Sequence, residues 1–236
     1  PLKDSFMEFY DFDDKKAEEA IEKYRERFST VGLYENEIYP SVDEMLQKLR
    51  DAGAHLAVAS SKPTVFVEKI LKHFHIEQYF EVVVGSELDG RRTDKEEVVS
   101  EALRKLGVTG ANRSDCAMVG DRKFDIIGAK AHKVCSVGVT YGYAGKGELE
   151  KENPDYVASD VDSLTAFLLG ESKKERFCEP YFTRVKKAPV AQRNSFTRAF
   201  SIISPVLLYY IVSNLIVFGF AYFISYLSES GNSGAV

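Results

Sequence analysis

From residue 40 onward, short apolar runs alternate with helical patterns, and this alternation limits most strongly how the chain can fold. Strands are predicted at residues 56–59, 80–84, 116–119, 134–139 and 156–158. Helices are predicted at 41–50, 63–73, 95–106, 123–131 and 163–169. Repeated αβ units with buried strands form a parallel sheet that is covered on both faces. The sequence therefore predicts an α/β, Rossmann-like fold over residues 35–170.

The first 34 residues have a different pattern and are predicted to be helical. Ala17, Ile21, Tyr24 and Phe28 recur at spacings of three and four residues, as on one face of a helix. Asp13 or Asp14 is expected to cap the helix that begins near residue 15. We interpret residues 1–34 as a small helical unit that precedes the α/β core.

Residues 199–228 contain no charged side chain, and we predict that they form a transmembrane helix. At about 1.5 Å per residue, a helix of this length exceeds the ~30 Å hydrocarbon core of a bilayer. A buried core helix is the alternative. The linker 171–198 carries eight Lys or Arg residues against three Glu, which predicts that the core lies on the cytoplasmic face of the membrane. The tail 229–236 follows.

In a parallel sheet, ligands bind beyond the carboxyl ends of the strands, so the residues there are candidate site residues. Ser60 and Ser61 follow the first strand and precede a helix, where hydroxyl and backbone donors can bind a phosphate. A simple helix cap is the alternative. The net charge of −5 gives no support for binding a nucleic-acid polymer.

Acidic and basic residues are candidate site residues at two further places in the chain. Asp121 follows the third strand after Gly120, and Asp125 begins the next helix, so that the two carboxylates suit a hard cation such as Mg²⁺. Either one could instead cap the helix. Lys95 opens a helix, where a cation is unfavourable, which indicates an anionic group nearby. A solvated lysine is the alternative.

In combination, Ser60, Lys95 and the Asp121–Asp125 pair resemble the second, third and fourth motifs of the haloacid dehalogenase superfamily. The stretches LAVASSKP, VGDRKFDIIGAKA and VGVTYGYAGKGELE are similar to its phosphoglycolate phosphatase group, and residues 1–34 are similar to part of that group's helical cap. The resemblance implies that Ser60, Ser61 and Lys95 bind phosphate and that Ser60 and Lys95 assist catalysis. It also implies that Asp121 and Asp125 serve Mg²⁺, directly or through water.

The chain departs from the superfamily at its first motif, a strand followed by DxDGT, which supplies the nucleophile. The segment 11–14 is not accepted as a substitute, because no strand precedes it and no Gly-Thr turn follows it. The missing strand is the central one, between the strands that end at Ser60 and Gly120. We expect two exposed strand edges, poor stability and no activity from this chain alone, which looks cut or processed at its N-terminus.

The leading hypothesis is a Mg²⁺-dependent phosphomonoesterase anchored to a membrane. It would hydrolyse a small phosphorylated metabolite, such as phosphoglycolate or a nucleoside monophosphate, through an aspartyl-phosphate whose nucleophile this chain lacks. The alternative is a non-catalytic module of the same fold, tethered to a membrane protein. The sequence does not specify the substrate or the oligomeric state.

Overall fold

The structure is a computed structural model, and it describes residues 2–171 and 199–203. Its strands are β1 (Ala54–Pro63), β2 (Val82–Ser86), β3 (Cys116–Gly120), β4 (Cys135–Val139), β5 (Tyr156–Ala158) and β6 (Ala199–Ile203). Its helices are α1 (Leu2–Tyr10), α2 (Asp14–Phe28), α3 (Val42–Asp51), α4 (Thr64–His73), α5 (Lys95–Lys105), α6 (Lys123–Ala131), α7 (Glu148–Lys151) and α8 (Val161–Leu168).

The described strands form one parallel sheet in the order β2-β1-β6-β3-β4-β5, which confirms the predicted α/β fold. The predicted bounds agree closely for β3, β4, β5 and α6. Strand β2 begins two residues later than predicted, because its pairing with β1 starts where Val82 lies opposite Ala57. Helix α8 begins two residues earlier, because the Asp160 side chain accepts the Ser163 N–H and caps it. Helix α7 was not predicted.

Helices cover both faces of the sheet and bury two apolar clusters. On one face, α3, α4 and α8 contribute Leu46, Ile70 and Phe167, each at most 1% exposed. On the other face, Val98 and Val99 of α5 are fully buried. A fully buried side chain of this size contributes about 1.5–3 kcal/mol to folding. These clusters hold the strand ends, and the residues that follow them, in fixed positions.

The first two helices form a hairpin that contacts the core. The Asp13 side chain accepts the Lys16 N–H at 2.8 Å and so caps α2, as predicted. Phe6 and Ala17 are buried between the two helices. At the end of α2, the Phe28 ring lies edge-on to Phe66 of α4, with centroids 5.5 Å apart. An aromatic contact of this geometry fixes the orientation of the hairpin on the core.

The central position of the sheet is filled by β6, which corrects the expectation of an open gap with exposed edges. Residues 199–203 pair in parallel with residues 54–58 of β1 and with 116–119 of β3. The pairing satisfies backbone groups that would otherwise lie unpaired on two strand edges. Four of the five residues of this strand, AFSII, are apolar, a composition typical of parallel strands.

The predicted transmembrane segment 199–228 overlaps this strand. Its first five residues form β6, so the prediction that the helix begins at residue 199 is wrong, and its other residues lie outside the described part of the chain. Within the described part, no helix has the length and apolar character needed to cross a bilayer.

Strand β6 is expected to stabilise the core, and Ser201→Pro tests this. Proline removes a backbone N–H from a strand that is paired on both sides, which costs about 1–3 kcal/mol. Thermal unfolding should show a melting temperature lower by roughly 5 °C, since about 1 kcal/mol corresponds to 2–4 °C in a domain of this size. Ser201→Ala keeps the N–H and serves as the control. Equal melting temperatures for the two variants would contradict the role of β6.

Candidate active site

Ser60 lies at the carboxyl end of β1 with its side chain turned into the protein. It is 2% exposed, and its Oγ accepts the Lys62 N–H at 2.9 Å, so that the hydroxyl proton is not used by that bond. Ser61, the other predicted phosphate-binding serine, is exposed. Successive side chains of a β-strand point to opposite faces, so the two neighbouring serines of β1 point in different directions. Of the two serines, Ser60 is therefore the one held in a fixed environment.

Asp121 directly follows β3 and is almost completely buried, with 1% exposure. Its Oδ2 accepts the Tyr143 N–H at 2.6 Å, whereas its Oδ1 has no hydrogen-bond partner. Burial raises the pKa of Asp121 to about 6, despite the opposing hydrogen bond from Tyr143, and the nearby Asp125 carboxylate contributes to the rise. A buried carboxylate oxygen without a partner is costly unless a ligand satisfies it.

Lys95 and Asp125 form a buried ion pair, which explains the lysine at the start of α5. The Lys95 Nζ lies 2.8 Å from Asp125 Oδ1 and donates to the Ala59 carbonyl oxygen at 3.0 Å. Lys95 is 9% exposed and Asp125 is 2% exposed. Asp125 Oδ2 accepts the Arg122 N–H at 3.1 Å, so this aspartate also caps the start of α6. The ion pair joins α5 and α6 to the residue before Ser60.

Gly120 allows this arrangement because a side chain there would have no room. A Cβ at position 120 would lie 2.2 Å from the Cβ of Asp125. Asp125 therefore packs directly against the backbone beside Asp121. The two carboxylates, predicted from their spacing, are neighbours in the structure.

The residues present fit a magnesium ion through Asp121 and its unpartnered oxygen. Asp125 Oδ1 faces the Lys95 ammonium in the ion pair and Oδ2 accepts the Arg122 N–H, so Asp125 would act on a cation through water or through its charge. No group of three or more His, Cys, Asp or Glu side chains that could hold a metal occurs among the described residues. Mg²⁺ commonly binds through one or two carboxylates and completes its shell with water and substrate phosphate.

On the side of the helical hairpin, Lys62 lies close to the end of β1. Its Nζ is 4.3 Å from the centre of the Phe28 ring, and burial lowers the pKa of Lys62 to about 8. A cavity of about 220 Å³ opens nearby, at the ends of β1 and β2, lined by Pro63, Thr64, Val65, Ser86, Glu87, Leu88 and Asp89. None of the predicted site residues lines this cavity.

Two contributions to the site were not predicted from the sequence. The Tyr143 N–H, which binds Asp121, is a backbone donor, and no side-chain motif identifies it. Glu148 accepts hydrogen bonds from the Arg122 side chain and from the Lys123 N–H at the start of α6. In the sequence, Gly145 and Gly147 just before Glu148 indicate a turn there.

Comparison with known proteins identifies relatives of this arrangement. Residues 1–139 match the haloacid dehalogenase-like hydrolase family. A 5′-nucleotidase of Pseudomonas aeruginosa is 40% identical over 168 residues, which cover 71% of this chain and 75% of that protein. Phosphoglycolate phosphatases are also among the relatives.

Two further proteins are similar to this chain. A protein of Clostridium acetobutylicum described as a predicted phosphatase has a crystal structure that matches with a TM-score of 0.66 and 44% identity, covering 70% of this chain and 75% of that one. The tyrosine-protein kinase PtkA of Mycobacterium tuberculosis is 39% identical over 152 residues, or 64% of this chain. The match covers 51% of the kinase, so the chain spans about half of that relative.

Asp121→Asn is expected to change stability in a pH-dependent way. Because the folded-state pKa of Asp121 is raised to about 6, its ionisation destabilises the fold as pH rises from about 4 to 6. At pH 7.5 the variant should be more stable than the wild type, by up to about 3 kcal/mol, and the difference should vanish near pH 4. Urea unfolding at both pH values measures this. A difference that is independent of pH would contradict it.

Proposed function

This chain belongs to the haloacid dehalogenase-like hydrolase family, and we therefore propose that it forms the core of a Mg²⁺-dependent phosphomonoesterase. Its homologues, which include a 5′-nucleotidase and phosphoglycolate phosphatases, support a phosphoric monoester hydrolase. The observation that carries the proposal is the unpartnered, buried Oδ1 of Asp121 beside the Lys95–Asp125 ion pair. A bound cation would satisfy the Asp121 oxygen, and a bound phosphate would contact the Lys95 ammonium.

The phosphate would bind at Lys95 and Ser60. The Lys95 ammonium donates a hydrogen bond to the Ala59 carbonyl and forms an ion pair with Asp125, and an ammonium has three donors, so we propose that a further N–H donates to a phosphate oxygen. Because both contacts are buried, the ammonium is held in place before substrate arrives, which favours stabilisation of developing charge. The Ser60 hydroxyl would donate a second hydrogen bond from the adjacent strand end.

The cation would bind at Asp121, with Asp125 as its neighbour. When bound there, Mg²⁺ would neutralise charge on the phosphoryl oxygens and orient the substrate. Asp121 would supply Oδ1, since the Tyr143 N–H holds its other oxygen in a fixed direction. Asp125 would contribute through water while it keeps Lys95 in position.

Among the described residues, the strand between β1 and β3 brings no aspartate that could attack the phosphate in the proposed aspartyl-phosphate mechanism. Strand β6 lies between β1 and β3, and the whole run 199–228 contains no carboxylate. We therefore propose that the 236 residues bind a phosphomonoester and Mg²⁺ but do not turn the substrate over. The substrate would be small, with phosphoglycolate and 5′-nucleoside monophosphates suggested by the names of the relatives.

The same observation favours a second candidate, a non-catalytic module. A sheet whose central strand brings no carboxylate to the site is complete as a fold and lacks a nucleophile. Such a module would bind phosphorylated ligands without reaction and would act as a sensor or docking domain.

Phosphatase assays with two proteins separate the candidates. The first is the 236-residue chain, and the second carries an added N-terminal strand with a DxDGT segment in place of residues 199–236, so that the position of β6 between β1 and β3 is open to the added strand. We expect Mg²⁺-dependent release of phosphate from phosphoglycolate or a 5′-nucleotide by the second protein only. Lys95→Met or Asp121→Asn in that protein should lower kcat by about 10²–10³.

Two outcomes would revise the proposal. Turnover by the unmodified chain would show that it supplies its own nucleophile. No turnover by the folded, extended protein would favour the non-catalytic module. The matched control is an Asp→Asn change in the added DxDGT segment, which should abolish activity.

Membrane attachment on the cytoplasmic face is a further proposal. After residue 203, 25 uncharged residues remain before Glu229, and at about 1.5 Å each they reach across a bilayer as a helix. Flotation of the expressed chain with vesicles after alkaline carbonate treatment should therefore occur, and deletion of residues 204–228 should abolish it. Recovery of the undeleted chain in the supernatant would contradict this proposal.

A further inference from the structure

The loop of residues 140–147, between β4 and α7, lies against the candidate cation site. The loop backbone lies so close to Asp121 that a side chain on Gly142 would have no room. The Tyr143 N–H donates to Asp121 Oδ2 at 2.6 Å, and a Cβ on Gly142 would lie 2.3 Å from the Cβ of Asp121. Any side chain at position 142 must therefore displace Asp121 or move the loop.

The loop is anchored at its start by an aromatic side chain. The Tyr39 hydroxyl donates to the Tyr141 carbonyl oxygen at 2.7 Å, and the two rings pack edge-on with centroids 5.1 Å apart. Tyr39 is itself 7% exposed. Gly142 and Tyr143 therefore follow a fixed point of the backbone.

At its other end, the loop is fixed by Glu148, the first residue of α7. Glu148 Oε1 accepts the Arg122 Nε–H at 2.8 Å and the Lys123 N–H at 3.0 Å, and Oε2 accepts the Gly145 N–H at 3.1 Å. Burial opposes its ionisation, but these hydrogen bonds lower the pKa of Glu148 overall. An ionised Glu148 thus ties the loop to the first turn of α6, where Asp125 lies.

We propose that Gly142 and Glu148 are positioning residues that hold Asp121 and Asp125 in the arrangement that binds the divalent cation. Gly142 sets the position of Asp121 through close packing, and Glu148 sets that of Asp125 through the backbone of α6. Partners that orient metal ligands in this way affect metal affinity by about 10–100-fold when they are removed. This inference rests on the proposed function, because it assumes the cation site at Asp121.

The loop offers a matched pair of glycines for the test. Gly142→Ala places a methyl group against Asp121, whereas a Cβ at Gly145 meets nothing closer than 3.7 Å. Affinity for Mn²⁺, as a probe of the Mg²⁺ site, can be measured on the full chain by water-proton relaxation. We expect Gly142→Ala to weaken binding by about 10–100-fold and Gly145→Ala to leave it unchanged.

Glu148 provides a second, independent pair of variants. Glu148→Gln keeps an acceptor for the α6 N–H and should retain most of the Mn²⁺ affinity. Glu148→Ala removes that acceptor and should weaken binding by at least tenfold. Rescue by the conservative variant separates positioning from general loss of stability, and melting temperatures without metal establish that each variant is folded. If Gly142→Ala does not fold, the Glu148 pair decides the question.

Failure of the proposed cation site and failure of the positioning role give different experimental results. If the wild-type chain binds no Mn²⁺, the proposed cation site fails, and the inference fails with it. If the wild type binds Mn²⁺ and both Gly142→Ala and Glu148→Ala bind it equally well, the positioning role alone is overturned.

Discussion

The parallel pairing of β6 with β1 and β3 is the contact on which the rest of the structure depends. Without a strand between them, β1 and β3 would each present a row of unpaired N–H and C=O groups inside the protein. Neighbouring strands lie about 4.8 Å apart, so one intervening strand sets the ends of β1 and β3 about 10 Å from each other. Ser60 and Asp121 follow these two ends, and their separation is therefore determined by β6.

Buried charged side chains at the carboxyl ends of the strands also connect several elements of the fold. Lys95 reaches from α5 to Asp125 on α6 and to the Ala59 carbonyl of β1, so one ammonium connects three elements. Asp121 remains partly unsatisfied beside this pair, and its pKa is raised accordingly. The site therefore combines a buried ion pair with a buried carboxylate oxygen that has no hydrogen-bond partner. Strongly perturbed pKa values, like that of Asp121, cluster at functional sites.

Local patterns were sufficient to predict most of the fold, and they identified Ser60 and Asp121 as residues that follow strand ends. The bounds of α6 and β5 follow from apolar periodicity and from turn residues, which act over a few positions. Strand β6 could not be predicted in this way, because its partners are distant in sequence and its charge-free composition is equally typical of a membrane helix. Helix α7 is short and largely polar, and the Tyr143 N–H is a backbone group, so neither has a side-chain signature.

The central position of β6 also has a consequence for the folding pathway. Ala199 pairs with Ala54, roughly 145 residues earlier, and closure of such a long loop makes folding slow. During ribosomal synthesis, β1 and β3 emerge well before their common partner, so the nascent sheet is split until residue 199 has been made. Over that interval, two unpaired strand edges are open to other polypeptides. The order in which the strands are translated therefore leaves these edges of the nascent chain unprotected until the last strand of the sheet has been made.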